Sequence, residues 1–238
     1  IDTNGTQLER FAADIVRLGD IHLTVSVDGP EPVHDQVRGV PGTFARLRAG
    51  LARLTEEETA AGKRISRSIC FVISPWSLPG LGVMPDVARD LGIETMAIVP
   101  YYYMPGSMGR EYTAEMQELF GCAVRSWRGF HHESSGVDLA EFARQLAAYR
   151  AGLKEITDYP YMPFSLEEYQ TWFGDPRAPV GVPRCGNVES LIDIQPDGGA
   201  NFCVDYADYI VGNVCEATIA EIWRSERAER FRAARAYS

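Results

Sequence analysis

The residues whose spacing points most clearly to chemistry are cysteines in the C-terminal part of the chain. Twelve residues separate Cys185 from Gly198, and four more separate Gly198 from Cys203. A glycine turn at this place would fold a hairpin and bring the second thiol back toward the first. Thiolates gathered in this way suit an iron–sulfur cluster or zinc. The spacing therefore predicts a metal centre, which Cys215 either joins as a third ligand or merely neighbours.

The other two cysteines look inert. Cys70 lies in the apolar run 69–73, which predicts a buried thiol, and Cys122 simply follows a glycine. Five cysteines do not suit a disulfide framework, and the first five residues show neither the basic nor the apolar part of an export signal. We therefore expect reduced thiols and a cytoplasmic protein.

Polar residues that could bind a ligand follow the first two predicted strands. Asn4 ends the first, Ser26 and Asp28 end the second, and Arg38 comes ten residues later with a planar cationic fork. In a parallel barrel, such positions face the ligand because the loops after the strands build the site. The same residues also suit ordinary turns, and an arginine in this place can equally be a solvated surface residue.

The elements that would position these residues alternate between strand and helix. Apolar spacing predicts a parallel sheet covered by helices, followed by a long helix over 139–156. A Pro-rich and aromatic stretch comes next, and a short hairpin with a final helix from Thr218 ends the chain. The predicted helices are 6–18, 41–54 and 83–91; the predicted strands are 21–27, 65–74, 95–99, 190–195 and 200–204.

Composition excludes several classes of protein. The chain has 238 residues, 45% of them hydrophobic, and a net charge of -10. This is globular composition, and no apolar run approaches the ~20 residues needed to cross a bilayer. The negative charge argues against nucleic acid or an anionic membrane as a partner, since both require a basic surface.

Taken together, these motifs carry a family resemblance. Their order is Thr3-Asn4-Gly5, then Ser26-Val27-Asp28-Gly29-Pro30 with His34-Asp35 and Arg38-Gly39, then Gly42-Thr43-Phe44, and finally the cysteine segment. This order resembles radical S-adenosylmethionine (SAM) enzymes of the SPASM and twitch type. The resemblance covers nearly the whole chain, and the segment from Ser26 to Gly39 is its most specific part.

The resemblance implies an α/β fold: a partial radical SAM barrel that lacks its N-terminal strands, then a small α+β module of SPASM or twitch type. The implied domains are a barrel at 1–157, a linker or lid at 158–183 and an auxiliary iron–sulfur module at 184–238. The implied SAM-binding residues are Asn4, Ser26, Asp28 and Arg38, and the implied cluster ligands are Cys185, Cys203 and Cys215.

The implied activity is radical chemistry. The intact enzyme would cleave SAM reductively and use the 5′-deoxyadenosyl radical to abstract hydrogen from a peptide or small-molecule substrate, with flavodoxin or ferredoxin as reductant. An auxiliary 4Fe-4S cluster would lie in this chain. The SAM-binding 4Fe-4S cluster needs Cys-x3-Cys-x2-Cys, which the sequence does not contain. We therefore expect the chain to be inactive alone. The missing motif indicates either a fragment of a longer protein or a degenerate protein, and we favour the fragment.

Two non-catalytic alternatives remain open at this point. One is a structural zinc site on Cys185, Cys203 and Cys215. The other is a peptide-binding module that uses the aromatic stretch 159–173.

Overall fold

A computed structural model describes residues 1–159, 162–181 and 186–235. These residues form two compact units, each assembled from two stretches of chain. The first unit contains Ile1–Tyr101 and Ser135–Gly174, and the second contains Tyr102–Ser134 and Asp175–Ser238.

The elements follow one another in this order: β1 (Asp2–Thr3), α1 (Leu8–Leu18), β2 (His22–Ser26), α2 (Glu31–Arg38), α3 (Thr43–Ala61), β3 (Ser66–Ile73), a 3-10 helix (Leu78–Val83), α4 (Met84–Asp90), β4 (Thr95–Pro100), α5 (Gly106–Phe120), a second 3-10 helix (Ser126–Phe130), α6 (Leu139–Gly152), β5 (Thr157–Asp158), α7 (Leu166–Gly174), α8 (Asn187–Ser190), β6 (Asp193–Ile194), β7 (Gly199–Asn201), β8 (Gly212–Asn213), α9 (Ile219–Trp223) and α10 (Glu226–Arg235).

The first unit is built on a parallel sheet. Its strand order is β1-β2-β3-β4-β5, and every neighbouring pair is parallel. The prediction of neighbouring parallel strands over 21–27, 65–74 and 95–99 is therefore confirmed. The short fifth strand, β5, was not predicted.

The two faces of this sheet differ in character. On one face Leu23, Ile69 and Ile98 are at most 3% exposed. The alternate positions, such as Ser26, Ser68 and Cys70, are small or polar and only partly buried. Because side chains alternate along a strand, one face packs against the helices while the other remains accessible.

Helix α7 lies inside the stretch predicted to be a linker or lid. Its Tyr169 and Phe173 are buried and contact Phe142 of α6 through ring pairs 5.4 and 5.5 Å apart. Tyr169 and Phe173 thus belong to the packed interior of the first unit.

The second unit combines α5 and the 126–130 helix with the C-terminal hairpin. Strands β6, β7 and β8 form an antiparallel sheet in that order. The carboxylate of Asp208 accepts hydrogen bonds from the amides of Arg125 (2.8 Å) and Ser126 (3.2 Å). The core of this unit contains Met116, Val124, Trp127, Val188, Ala200, Phe202, Tyr209, Val211, Ile222 and Ala228.

The predicted hairpin is present with shorter strands. Gly198 forms its turn at a φ of +87°, a conformation that glycine adopts without steric strain. In the last part of the chain, Thr218 begins α9 through a capping box with Glu221. Within the described residues, no helix combines the length and the apolar character that a bilayer crossing requires.

Candidate functional site

Asn4 and Ser26 lie at the same edge of the parallel sheet, as predicted. Thr3 pairs with Val25, so the next residue of each strand stands at the carboxyl end. The Asn4 side chain accepts hydrogen bonds from the amide (3.1 Å) and hydroxyl (2.9 Å) of Thr6. The next residue is Gly5, where a larger residue would clash: a Cβ at this position would lie 2.2 Å from the Leu47 side chain.

Asp28 is held within the protein. Its side chain is 8% exposed, and its Oδ2 lies 2.6 Å from Nε of Arg38 and 3.2 Å from Nδ1 of His34. The same Nδ1 also lies 3.1 Å from the Asp28 amide nitrogen. The structure thus brings together Asp28 and Arg38, two predicted SAM-binding residues, with the fully buried His34, to which no role was assigned from sequence.

Asp35, the residue after His34, connects α2 to the start of α3. Its carboxylate accepts hydrogen bonds from the amides of Gly42 (2.5 Å) and Phe44 (2.9 Å) at the start of α3. The Phe44 hydrogen bond, more than any other contact, lowers the pKa of Asp35. The segment from Asp28 to Phe44 is therefore a hydrogen-bonded frame that fixes the loop after β2.

Cys70 stands beside Ser26 on the accessible face of the sheet, since the two residues are register partners. The apolar run 69–73 predicts a buried thiol, but Cys70 is only partly buried. Its pKa is raised, first by burial and then by the carboxylates of Asp2 and Asp28. The thiol form is therefore favoured.

The second unit contains a cleft of about 310 Å³ with Cys203 in its wall. The other wall residues are mainly apolar or aromatic and include Met104, Tyr112, Val188, Phe202, Tyr206 and Phe231. Burial raises the pKa of Tyr206 to about 12, with smaller contributions from Asp205 and Cys203. Burial and the nearby Asp193 also raise the pKa of Asp205. Cys203 thus faces a largely apolar space that has carboxylates close by.

Cys215 is not brought to this cleft. It lies at the turn end of the hairpin, where a Cβ built on Gly198 would be 3.0 Å from its Sγ. Cys203 is five residues from Gly198, past the other end of β7. The three residues of β7 alone rise roughly 10 Å, at about 3.3 Å each, so the two cysteines lie at opposite ends of this strand. Two thiolates on one metal lie no more than about 4.6 Å apart, so this arrangement does not support a three-cysteine zinc site.

Cys185 lies outside the described residues, so its predicted closeness to Cys203 stays a prediction. Among the residues described, no three His, Cys, Asp or Glu side chains are grouped closely enough to hold a metal ion. Asn201 is a further polar residue here, overlooked in the sequence because it lies in an apparent strand. Its Nδ2 is buried and has no hydrogen-bond partner among the described residues.

These residues suit an iron–sulfur cluster in both donor type and surroundings. Cluster irons are held by thiolates, and amide donors and apolar walls around the sulfurs tune their redox potential. Cys203 supplies a thiol, the cleft supplies the apolar wall, and Asn201 supplies an unpartnered buried amide. The remaining ligands would come from outside the described part of the chain.

Comparison with known families agrees with this interpretation. Residues 185–238 match the SPASM family, an iron–sulfur cluster-binding domain. No curated protein sequence matches the chain.

Solved structures share its fold. Native anSMEcpe with bound AdoMet is 14% identical, with a TM-score of 0.59, over 97% of this chain and 57% of that one. The same protein with bound AdoMet and Cp18Cys peptide is 12% identical, with a TM-score of 0.57, over 97% and 58%. SuiB from Streptococcus suis is 13% identical, with a TM-score of 0.59, over 95% and 48%. The chain thus spans about half the length of these proteins.

Proposed function

We propose that the chain belongs to a radical SAM oxidoreductase or peptide-modifying enzyme of the SPASM type, and that it is the part of that enzyme which carries an auxiliary cluster. The observation that carries the proposal is Cys203 in the wall of an apolar cleft, within the stretch that matches an iron–sulfur domain.

We propose that Cys185 and Cys203 hold a 4Fe-4S cluster here, which when bound supplies an electron acceptor or a positioning group. The protein contributes the aromatic wall, which excludes water. Cys215, at the far end of the hairpin, has no part in this site.

The sheet edge of the first unit is the proposed SAM-facing surface. Asn4 and Ser26 stand at the carboxyl ends of parallel strands, where ligands bind in folds of this kind. Because Arg38 holds Asp28, we assign these two residues to shaping the loop, with Ser26 as the direct contact.

The proposed overall reaction is hydrogen abstraction from a peptide, by analogy with the anSMEcpe structure that contains a peptide. A small-molecule substrate is the alternative. SAM, a second 4Fe-4S cluster and a flavodoxin or ferredoxin reductant complete the proposed enzyme, which we place in the cytoplasm.

The cluster assignment can be tested by anaerobic reconstitution of the chain with iron and sulfide. We expect both elements in the purified protein, together with broad visible absorbance. Zinc in their place would refute the cluster and favour the structural alternative. Binding of neither would also contradict the proposal.

A further inference from the structure

The hairpin of the second unit contains the same hydrogen bond, from a cysteine amide to an asparagine side chain, at two places. The side-chain oxygen of Asn201 accepts a hydrogen bond from the amide of Cys203 at 2.9 Å. The side-chain oxygen of Asn213 accepts one from the amide of Cys215 at 2.8 Å. Each asparagine thus forms a turn that fixes the cysteine two residues later.

The two turns differ in the hydrogen bonding of the asparagine side-chain nitrogen. Nδ2 of Asn213 donates to the carbonyl of Asp197 at 3.2 Å. Asn201 is 1% exposed, and its Nδ2 has no acceptor among the described residues. A buried donor left unpaired destabilises a protein by about 1–3 kcal/mol, so folded proteins pair nearly all such groups. Asn201 therefore requires an acceptor that Asn213 does not.

One candidate acceptor within the protein is Asp193, which is directly opposite Asn201 in the β6–β7 ladder. Its Oδ2 is also buried, and it too lacks a partner among the described residues. The two side chains therefore face each other across the ladder without a hydrogen bond between them. In this structure the Asn201 amide is therefore not hydrogen-bonded to this carboxylate.

We propose that the Asn201 amide donates a hydrogen bond to a sulfur of the iron–sulfur cluster at Cys203. This inference rests on the proposed cluster. The Asn201 side chain is tied to the Cys203 backbone through Oδ1, and Nδ2 is bonded to the same carbon as Oδ1. The donor is therefore held next to the residue that would ligate iron, which makes Asn201 a positioning residue and not a ligand.

Such a hydrogen bond has a measurable effect on the cluster. Reduction adds negative charge to the sulfurs, and an N–H donor stabilises that charge. Hydrogen bonds to the sulfurs are among the factors that set the potential of a cluster. Asn201 should therefore make the cluster easier to reduce.

The experiment compares Asn201→Asp with Asn213→Asp in the reconstituted chain. Each substitution keeps the oxygen that accepts from the following cysteine and replaces the amide nitrogen with oxygen. Each also replaces an amide with a carboxylate, which at position 201 is buried opposite Asp193 and at position 213 is more exposed. We expect all three proteins to bind iron and sulfide equally. The midpoint potential should fall clearly below that of the wild type in Asn201→Asp and much less in Asn213→Asp.

A spectroscopic signature separates a hydrogen bond from a change of charge. The iron–sulfur stretching frequencies of the wild type and Asn213→Asp should shift on transfer from H2O to D2O, and this shift should shrink in Asn201→Asp. Equal potentials and equal isotope shifts in the two variants would overturn the inference. A wild type that binds no iron or sulfide would instead overturn the proposed cluster.

If Asn201→Asp does not fold, the wild type and Asn213→Asp can still be compared. Pulsed electron paramagnetic resonance of the reduced cluster, in protein with ¹⁵N-labelled asparagine, should show a ¹⁵N coupling that persists in Asn213→Asp. A missing coupling would contradict the hydrogen bond.

Discussion

Among individual residues, the two C-terminal cysteines of the hairpin have different surroundings. Cys203 lines the apolar cleft, whereas Cys215 is exposed at the turn end. Spacing alone left Cys215 either inside or outside the metal centre. The strand register separates it from Cys203, since Asn213 pairs with Gly199 next to the turn. Register depends on pairing between distant residues, which local sequence does not record.

We expect Cys203→Ser to remove the cluster absorbance and reduce bound iron and sulfide to background, because a hydroxyl does not replace a thiolate ligand. Cys185→Ser should do the same. Cys215→Ser is the matched control and should keep iron, sulfide and absorbance at wild-type levels. Elemental analysis after anaerobic reconstitution measures all three. Loss of iron in Cys215→Ser would show that the hairpin register described above is wrong.

Arg38 illustrates a second limit of sequence reasoning. The motif suggested a ligand-binding arginine, and the structure shows its guanidinium on the buried carboxylate of Asp28. The sequence showed the residues but not which of them were already paired. His34 was missed for the same reason, because a histidine six residues after an aspartate has no characteristic pattern.

We expect Arg38→Leu to lower the free energy of unfolding by about 1–3 kcal/mol, because it leaves a buried carboxylate without its charged partner. Arg64→Leu is the control: Arg64 pairs with Glu94, but both side chains are largely exposed. Such surface pairs contribute about 0–1 kcal/mol. Urea denaturation without ligand measures both changes, and equal losses would contradict a structural role for Arg38.

Among the elements, apolar periodicity predicted the long helices and the central strands of the first unit. It missed β5, which has two residues and therefore no period. It also did not predict that residues 102–134 form one compact unit with the C-terminal part of the chain. That association depends on contacts such as Asp208 with Ser126, which are 82 residues apart. No local pattern encodes such a contact.

Packing of α5 in the second unit depends on Gly109. A Cβ at this position would lie 2.2 Å from the ring of Trp127, which is held by a hydrogen bond to Thr113 at 3.1 Å. In Gly109→Ala, overpacking should cost about 1–3 kcal/mol, which outweighs the roughly 1 kcal/mol that alanine contributes to a helix.

The control for this substitution is Gly129→Ala, because nothing lies within 4 Å of a Cβ built at Gly129. We expect Gly109→Ala to unfold at a lower denaturant concentration than the wild type, with no such change in Gly129→Ala. Equal midpoints for the two variants would refute close packing of the ring against α5.

At the scale of the whole molecule, the sheet of the first unit has an open edge. Strand β1 is the terminal strand of the described sheet and pairs only with β2 there. Beside it lies a groove of about 280 Å³ whose lining includes Ile1, Phe11 and Leu18. These three side chains are 65%, 43% and 66% exposed. Unpaired strand edges and clustered apolar side chains both favour association with another chain.

We therefore expect the 238-residue chain to self-associate through this edge at micromolar concentration and above. The double substitution Phe11→Gln with Leu18→Gln should shift the chain toward monomer, because the groove loses two of its exposed apolar side chains. Val40→Gln with Val83→Gln is the control, since these side chains of the same unit are 50% and 44% exposed but do not line the groove. Light scattering coupled to size-exclusion chromatography measures the change. A monomeric wild type, or an equal effect of both pairs, would contradict the proposal that the β1 edge is the association surface.

The same preparation should not cleave SAM under reducing conditions, because the sequence contains no Cys-x3-Cys-x2-Cys to hold the cluster that this reaction needs.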